Sequence, residues 1–138
     1  MKATENTNEK KHIQYTVGRR KRASARVRMY EGEGKVTVNG KSLEKLGVSK
    51  IKIREIFDIL MNTELFKNYD FSVKVVGGGV YAQLEAARHG IARCIAKLSD
   101  DAKQTMRKLG LLTRDPREKE RKKVYLVRAR KAPQYSKR

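Results

Sequence analysis

His89 follows Glu85 by one helical turn, a spacing at which a carboxylate can orient an imidazole for general acid or base work. Catalysis would also need a nucleophile or a second acid, and no serine, cysteine or carboxylate stands in a recognisable relation to the pair. Beside Arg93 on a polar helix face, His89 reads as a phosphate or solvent contact. Gly77, Gly79 and Ala82 fit the loose G-x-G-x-x-A dinucleotide pattern and lie between a strand and a helix. The acidic ribose ligand that should follow on a strand is missing, because Asp100 and Asp101 head a helix instead. No nucleotide cofactor is therefore expected. The same glycines, ahead of a helix N-terminus, can admit an RNA phosphate oxygen or simply allow a tight turn, and both readings stand. The single cysteine, Cys94, excludes an intramolecular disulfide and a Cys-based zinc site, and reads as a small core residue in a reducing compartment.

Charge is the stronger signal. The 138 residues carry 34 Lys or Arg against 15 Asp or Glu, a formal net charge of +19. That excess suits a phosphate polymer and makes a small neutral substrate a poor match. Between Gly18 and Arg28 stand six basic residues and no acid: Arg19, Arg20, Lys21, Arg22, Arg26 and Arg28. Neutralising about six phosphates would give a log K against log salt slope of magnitude about four to five. No apolar run is long enough to span a membrane, and the polar opening stretch has no secretory character. The basic stretches also lack a broad apolar face for membrane insertion.

These residues need elements to hold them. Residues 1–11 are too polar to order and read as a disordered lead-in. Ile13, Tyr15 and Val17 alternate as one half-buried strand. Ala23, Ala25, Val27 and Met29 alternate as a second, with Arg22, Ser24, Arg26 and Arg28 on its other face. Glu31 to Gly34 reads as a turn, Lys35 to Val38 as a third strand and Asn39-Gly40 as a tight break, the three strands antiparallel. Ile53, Ile56, Phe57 and Leu60 predict a helix over about Lys50 to Met61, with Ser49 placed to cap it. Phe71, Val73 and Val75 mark a fourth strand. Leu84, Ala87, Ile91, Ile95 and Leu98 form a long helical stripe opposite Glu85, His89, Arg93 and Lys97. Gly90 inside that helix costs about 1 kcal/mol relative to Ala. A shorter helix starts at Ser99 and stops at Gly110.

The expected fold class is thus α/β (α+β): a four-stranded mixed sheet with helices packed on it, in β-β-β-α-β-α-α order. The compact domain spans residues 12–112, and residues 113–138 form an extended basic C-terminal tail. That tail holds eleven Lys or Arg against three acids, with Tyr125 and Tyr135 as stacking groups and Pro116 and Pro133 stiffening its path. Fully extended, its last 23 residues reach on the order of 75 Å.

Five blocks in order carry a further signal: Gly18-Arg19-Arg20-Lys21, Gly77-Gly78-Gly79, Arg88-His89-Gly90-Ile91-Ala92-Arg93, Leu112-Thr113-Arg114-Asp115, and Ala132-Pro133-Gln134-Tyr135-Ser136-Lys137-Arg138. Together they make residues 13–138 resemble small-subunit ribosomal protein nine of the bacterial or organellar type. The resemblance implies a structural, non-catalytic constituent of the small-subunit head with no cofactor and no small-molecule substrate. Its partners would be the 3′ major domain of small-subunit rRNA, other head proteins and, through the tail, the anticodon stem-loop of tRNA in the peptidyl site. It also implies a left-handed β-α-β crossover, where general chirality rules favour a right-handed one.

The rRNA contacts implied are Arg19, Arg20, Lys21, Arg22, Arg26, Arg28, Gly77, Gly78, Gly79, Arg88, His89, Arg93, Arg114, Arg117, Arg121, Lys122, Lys123, Arg128, Arg130 and Lys131. The tRNA contacts implied are Ser136, Lys137 and Arg138. The location would be cytoplasmic, on the ribosome, or an organellar ribosome. Two departures from the family pattern stand out: Ala82 precedes Gln83 where a glycine is usual, and Val124-Tyr125-Leu126-Val127 replaces the usual Tyr-Gly-Leu-Lys. The rival readings are the protein subunit of ribonuclease P, whose arginine-rich motif sits in a helix, and an architectural DNA-binding protein.

Overall fold

The computed structural model describes residues 12–137, so the lead-in over 1–11 and Arg138 lie outside the described residues. In chain order the elements are β1 (Gln14–Arg20), β2 (Ala23–Glu31), β3 (Val36–Val38), β4 (Lys41–Ser42), α1 (Lys50–Met61), α2 (Glu64–Lys67), β5 (Tyr69–Val76), α3 (Val80–Ala96) and α4 (Asp100–Lys108). A short 3-10 turn, Leu43–Leu46, links β4 to α1. No helix or strand follows α4 among the described residues.

The α+β class stands, with five strands rather than four, ordered β1-β2-β5-β3-β4. β1 and β2 pair antiparallel as expected. β3 does not extend that hairpin: β5 takes the place beside β2, and β3 pairs with β5 in parallel. The reason is burial. A strand with Phe71, Val73 and Val75 on one face belongs in the sheet centre, while the three-residue β3 lies outside it and carries the two-residue edge strand β4. Asn39 and Gly40, both at positive φ, close the β3–β4 hairpin that sequence reading leaves as a break. Asn39 also binds Val75 twice: its Oδ1 accepts from the Val75 N–H at 2.9 Å and its Nδ2 donates to the Val75 carbonyl at 3.3 Å.

One face of the sheet carries the core. Ala23, Ala25, Val27 and Met29 of β2 are buried against α3, and Ile53, Ile56, Phe57 and Leu60 of α1 are buried as their spacing requires. Ser49 does precede α1, but its side chain makes no capping bond. Ser99 does cap α4, accepting from the Ala102 N–H at 3.1 Å. Gly110 stops α4 in the left-handed region, with its N–H on the Arg107 carbonyl and that of Leu111 on the Met106 carbonyl.

β1 reverses its expected phase. Ile13 and Tyr15 are exposed, whereas Thr16 and Gly18 face the core. The cause is the approach of α3. A Cβ on Gly18 would lie 2.0 Å from the Ala86 carbonyl oxygen and 2.4 Å from the Gly90 nitrogen, and one on Gly90 would lie 2.5 Å from Val27 Cγ2. The helix can approach this closely only where both residues are glycine, which accounts for a helix-interior glycine that propensity disfavours. Thr16 seals the contact, its hydroxyl donating to the Gly90 carbonyl at 2.7 Å. Cys94 packs beside it, and burial pushes its thiol pKa up, as befits a core residue.

Candidate nucleic-acid interface

The polar stripe of α3 lies along the open edge of β1. On an edge strand every second residue turns its N–H and C=O outward, where they need partners. Here Lys97 Nζ donates to the Tyr15 carbonyl at 3.2 Å, and an Arg93 guanidinium N–H donates to the Val17 carbonyl. The Arg19 N–H donates to His89 Nδ1 at 3.3 Å, and Arg20 pairs with Glu85 at 2.8 Å. Residues at i, i+4, i+8 and i+12 thus close one strand edge in order.

His89 also reaches the start of the tail. Its Nδ1 accepts from a backbone N–H, so in the neutral ring the proton sits on Nε2, which donates to the Leu112 carbonyl at 3.3 Å. Burial holds its pKa below 6.5, and the nearby Arg93, Arg114 and Arg88 add to that against the opposing Leu112 bond. Both ring nitrogens are therefore committed to backbone, and Glu85 is committed to Arg20. The pair is not arranged for acid–base catalysis.

Arg20 is the second tie to the tail. Besides Glu85 it reaches Asp115 at 3.2 Å, and it donates to the Arg117 carbonyl at 2.9 Å. Its side chain is only 13% exposed, so this member of the basic block is enclosed and paired. Hydrogen bonds from Arg117, first from its side chain and then from its backbone, hold the Asp115 carboxyl well below the usual carboxylate range, with Arg117 and Arg20 charges adding to the effect. Arg114 donates to the Lys21 carbonyl at 3.4 Å. Arg88 points elsewhere, donating to the Ile56 carbonyl of α1 at 3.4 Å.

The cations left available lie on the other sheet face and at the β1–β2 turn. Arg26 and Arg28 alternate outward from β2, and Lys74 stands beside Arg26 in register on β5. With Tyr15 and Ser72 they line a hollow of about 220 Å³. Among the described residues none of these three cations has a carboxylate within ion-pair distance. Lys21, at positive φ, and Arg22 are exposed in the turn. Sequence reading misses Lys74. Its alternation with Val73 and Val75 was visible, but its neighbourhood with Arg26 follows only from the β2–β5 pairing.

The glycine run makes the β5–α3 turn. Gly77 and Gly78 have positive φ, and a Cβ on Gly77 would lie 2.7 Å from the Arg22 carbonyl oxygen. Gly79 precedes α3 with open space around it. The sheet's parallel pairing is confined to β3 and β5, so the dinucleotide pattern has no repeated βαβ frame.

In the tail, Arg121, Lys122, Arg128 and Lys131 are exposed, whereas Lys123 and Arg130 converge on Glu120, the latter at 2.9 Å. The Leu126 N–H donates to the Lys123 carbonyl at 3.3 Å, closing a turn in which Tyr125 adopts φ +65° and is 92% exposed, and the Val127 N–H donates to the Lys131 carbonyl at 2.8 Å just beyond it. Ser136 and Lys137 are exposed. Arg138 lies outside the described residues. Among the described residues no three or more His, Cys, Asp or Glu gather to hold a metal ion, and no helix is long and apolar enough to cross a membrane.

A small α+β domain with an open cationic sheet face and a cationic arm leaving from one end has the build of a ribosomal protein. The model of the family Ribosomal protein S9/S16 matches residues 18–138. The chain is 47% identical over 123 residues to the small ribosomal subunit protein uS9 of Saccharopolyspora erythraea, covering 89% of this chain and 80% of that protein. It is 44% identical over 124 residues to the protein of the same name from Lawsonia intracellularis, covering 90% of this chain and 95% of that one. The chain belongs to the ribosomal protein S9/S16 family.

Proposed function

We propose that this protein is a non-catalytic constituent of the small ribosomal subunit that binds rRNA of the subunit head, with its tail reaching the anticodon stem-loop of tRNA in the peptidyl site. The observation that carries the reading is the row Arg28, Arg26 and Lys74, three cations on one sheet face next to Tyr15 that pair with no carboxylate among the described residues. Such a face meets a phosphate backbone without first breaking internal ion pairs.

The domain, residues 12–112, supplies the fixed surface, and residues 113–138 supply the arm. Lys21, Arg22 and the exposed tail cations extend the surface, and Ser136, Lys137 and Arg138 form its far end. The partners are small-subunit rRNA, tRNA and neighbouring head proteins, in the cytoplasm or an organelle.

Sedimentation of tagged protein through a sucrose gradient at moderate salt tests the class. Co-migration with small subunits is expected, and migration only with free DNA or a smaller ribonucleoprotein overturns it. Removing Lys137 and Arg138 should weaken tRNA in the peptidyl site while the truncated chain still enters subunits. Unchanged tRNA affinity in purified truncated ribosomes overturns the assignment of the tail.

A further inference from the structure

Between β1, α3 and the start of the tail lies a hollow of about 530 Å³ lined by Val17, Arg19, His89, Arg93, Leu112 and Arg114. We propose that it is a seat for one phosphodiester group of the bound RNA, and that the seated phosphate fastens the tail to the domain.

Each of three separate elements sends one arginine to this hollow: Arg19 from β1, Arg93 from α3 and Arg114 from the tail. Among the described residues no carboxylate lines it. Glu85 and Asp115 are spent on Arg20 and Arg117, and Asp100 lines the adjoining hollow that shares Arg93 and Leu112 with this one. Arg93 and Arg114 use part of their guanidinium donors on backbone carbonyls, which aims the side chains, and retain further N–H groups for an anion. Three cationic residues lining one hollow favour an anion there, and a tetrahedral oxyanion can accept charge-assisted hydrogen bonds from more than one of them.

The same geometry couples the seat to the tail. Arg114 can take part only while the chain leaves α4 along its present course, and that course is held by the His89 bond to Leu112 and by Arg20. A phosphate shared among the three arginines adds a further tie between the tail and β1. The charged groups around His89 are Arg19 of β1, Arg93 of α3 and Arg114 of the tail, with Arg88 of α3 turned to α1 and Glu85 of α3 paired with Arg20. An anion placed among them offsets the cations that disfavour imidazolium, so phosphate binding should raise the His89 titration midpoint.

The inference rests on the RNA-binding reading, and the test separates the two. The His89 ring resonances of the full chain are followed by NMR during titration with inorganic phosphate, with ionic strength held constant by chloride. A saturable shift and a raised His89 midpoint are expected, weakened about tenfold or more in Arg93→Gln and Arg114→Gln. Arg114→Lys should restore part of the response, and Arg107→Gln on α4 should leave it intact.

Saturating the protein with structured rRNA of the subunit head should abolish the phosphate response. A response no larger than that to chloride overturns the seat, as does equal weakening in Arg107→Gln, or phosphate still binding to the RNA complex. Strong, salt-sensitive RNA binding alongside a flat phosphate titration would sink the seat and leave the RNA-binding reading standing. Absence of RNA binding by the wild-type chain would sink that reading instead.

Discussion

The edge of β1 and the open face beside it are equally basic in sequence, yet their cations have opposite fates. Along the edge, Arg20, Arg93 and Lys97 are committed to Glu85 and to backbone carbonyls. On the face, Arg26, Arg28 and Lys74 are exposed and pair with no acid among the described residues. Positive charge thus does two jobs in this small protein: it finishes a strand edge that would otherwise be open, and it offers a surface to a partner. On the face the whole of each charge is free for a partner, whereas on the edge only the donors left over from the fold are.

Substitutions that separate the two jobs test this contrast. The largest effect belongs to the contact on which the edge depends. Gly18→Ala drives a methyl group into the Ala86 carbonyl and should destabilise the domain by about 3 kcal/mol, read from the denaturation midpoint at constant slope. A loss under about 1 kcal/mol would mean that α3 can move away from β1 at little cost.

Arg20→Ala comes next. It leaves Glu85 and Asp115 without their shared cation and should cost about 2 kcal/mol while speeding amide hydrogen exchange at Arg117. Arg26→Ala or Arg28→Ala should instead change stability by less than about 0.5 kcal/mol. Each should lower the slope of log K for RNA against log salt by about one. If Arg26→Ala proved as destabilising as Arg20→Ala, the division between edge and face would fail.

A pH titration sharpens the same contrast. The folded protein holds His89 below 6.5, so the unfolded chain binds more protons there and stability should fall as pH drops below about 6.5 toward the lower folded value. His89→Gln, which can keep one donor and one acceptor, should flatten that limb. The Asp115 tie behaves differently. Its carboxyl is held far below 3.8, so its contribution is present above the unfolded value and should disappear only in strong acid.

The smallest effect is local. Tyr125→Gly removes a side chain from a left-handed backbone position and should ease the loop closed by Glu120 while leaving the midpoint of domain unfolding unchanged. Chemical shifts over 120–131 would report it.

Much of this architecture was legible wherever the pattern was local and periodic. α1 has its four apolar side chains at the helical spacing, and β2 alternates small or apolar with basic residues, so both emerge with the right face inward. β1 defeats the same reasoning because its inward residues are Thr16 and Gly18. Apolar periodicity gives weight to Ile13, Tyr15 and Val17, whereas the strand's orientation is decided by a glycine in a helix some seventy residues away.

The place of β3 was hidden for a related reason, since parallel pairing with β5 depends on a crossover rather than on a turn. For the candidate interface, residue type identified the cations but not which of them were already partnered. Arg20 and Arg26 look alike until Glu85 and Asp115 are brought to the first and, among the described residues, no acid to the second.

The Asn39 side chain ties the end of β3 to β5 and also bears on the protein's chemical lifetime. An asparagine followed by glycine is the pairing most open to attack by the next backbone nitrogen on the side-chain carbonyl carbon, which expels ammonia and closes a succinimide that water then opens to aspartate or its isomer. Here that carbonyl and amide are both bound to Val75, so ageing at this position is slowed by the native sheet itself. Once the amide is lost, one of those bonds becomes a repulsion between oxygens. Damage at this turn would then loosen the strand that had protected it.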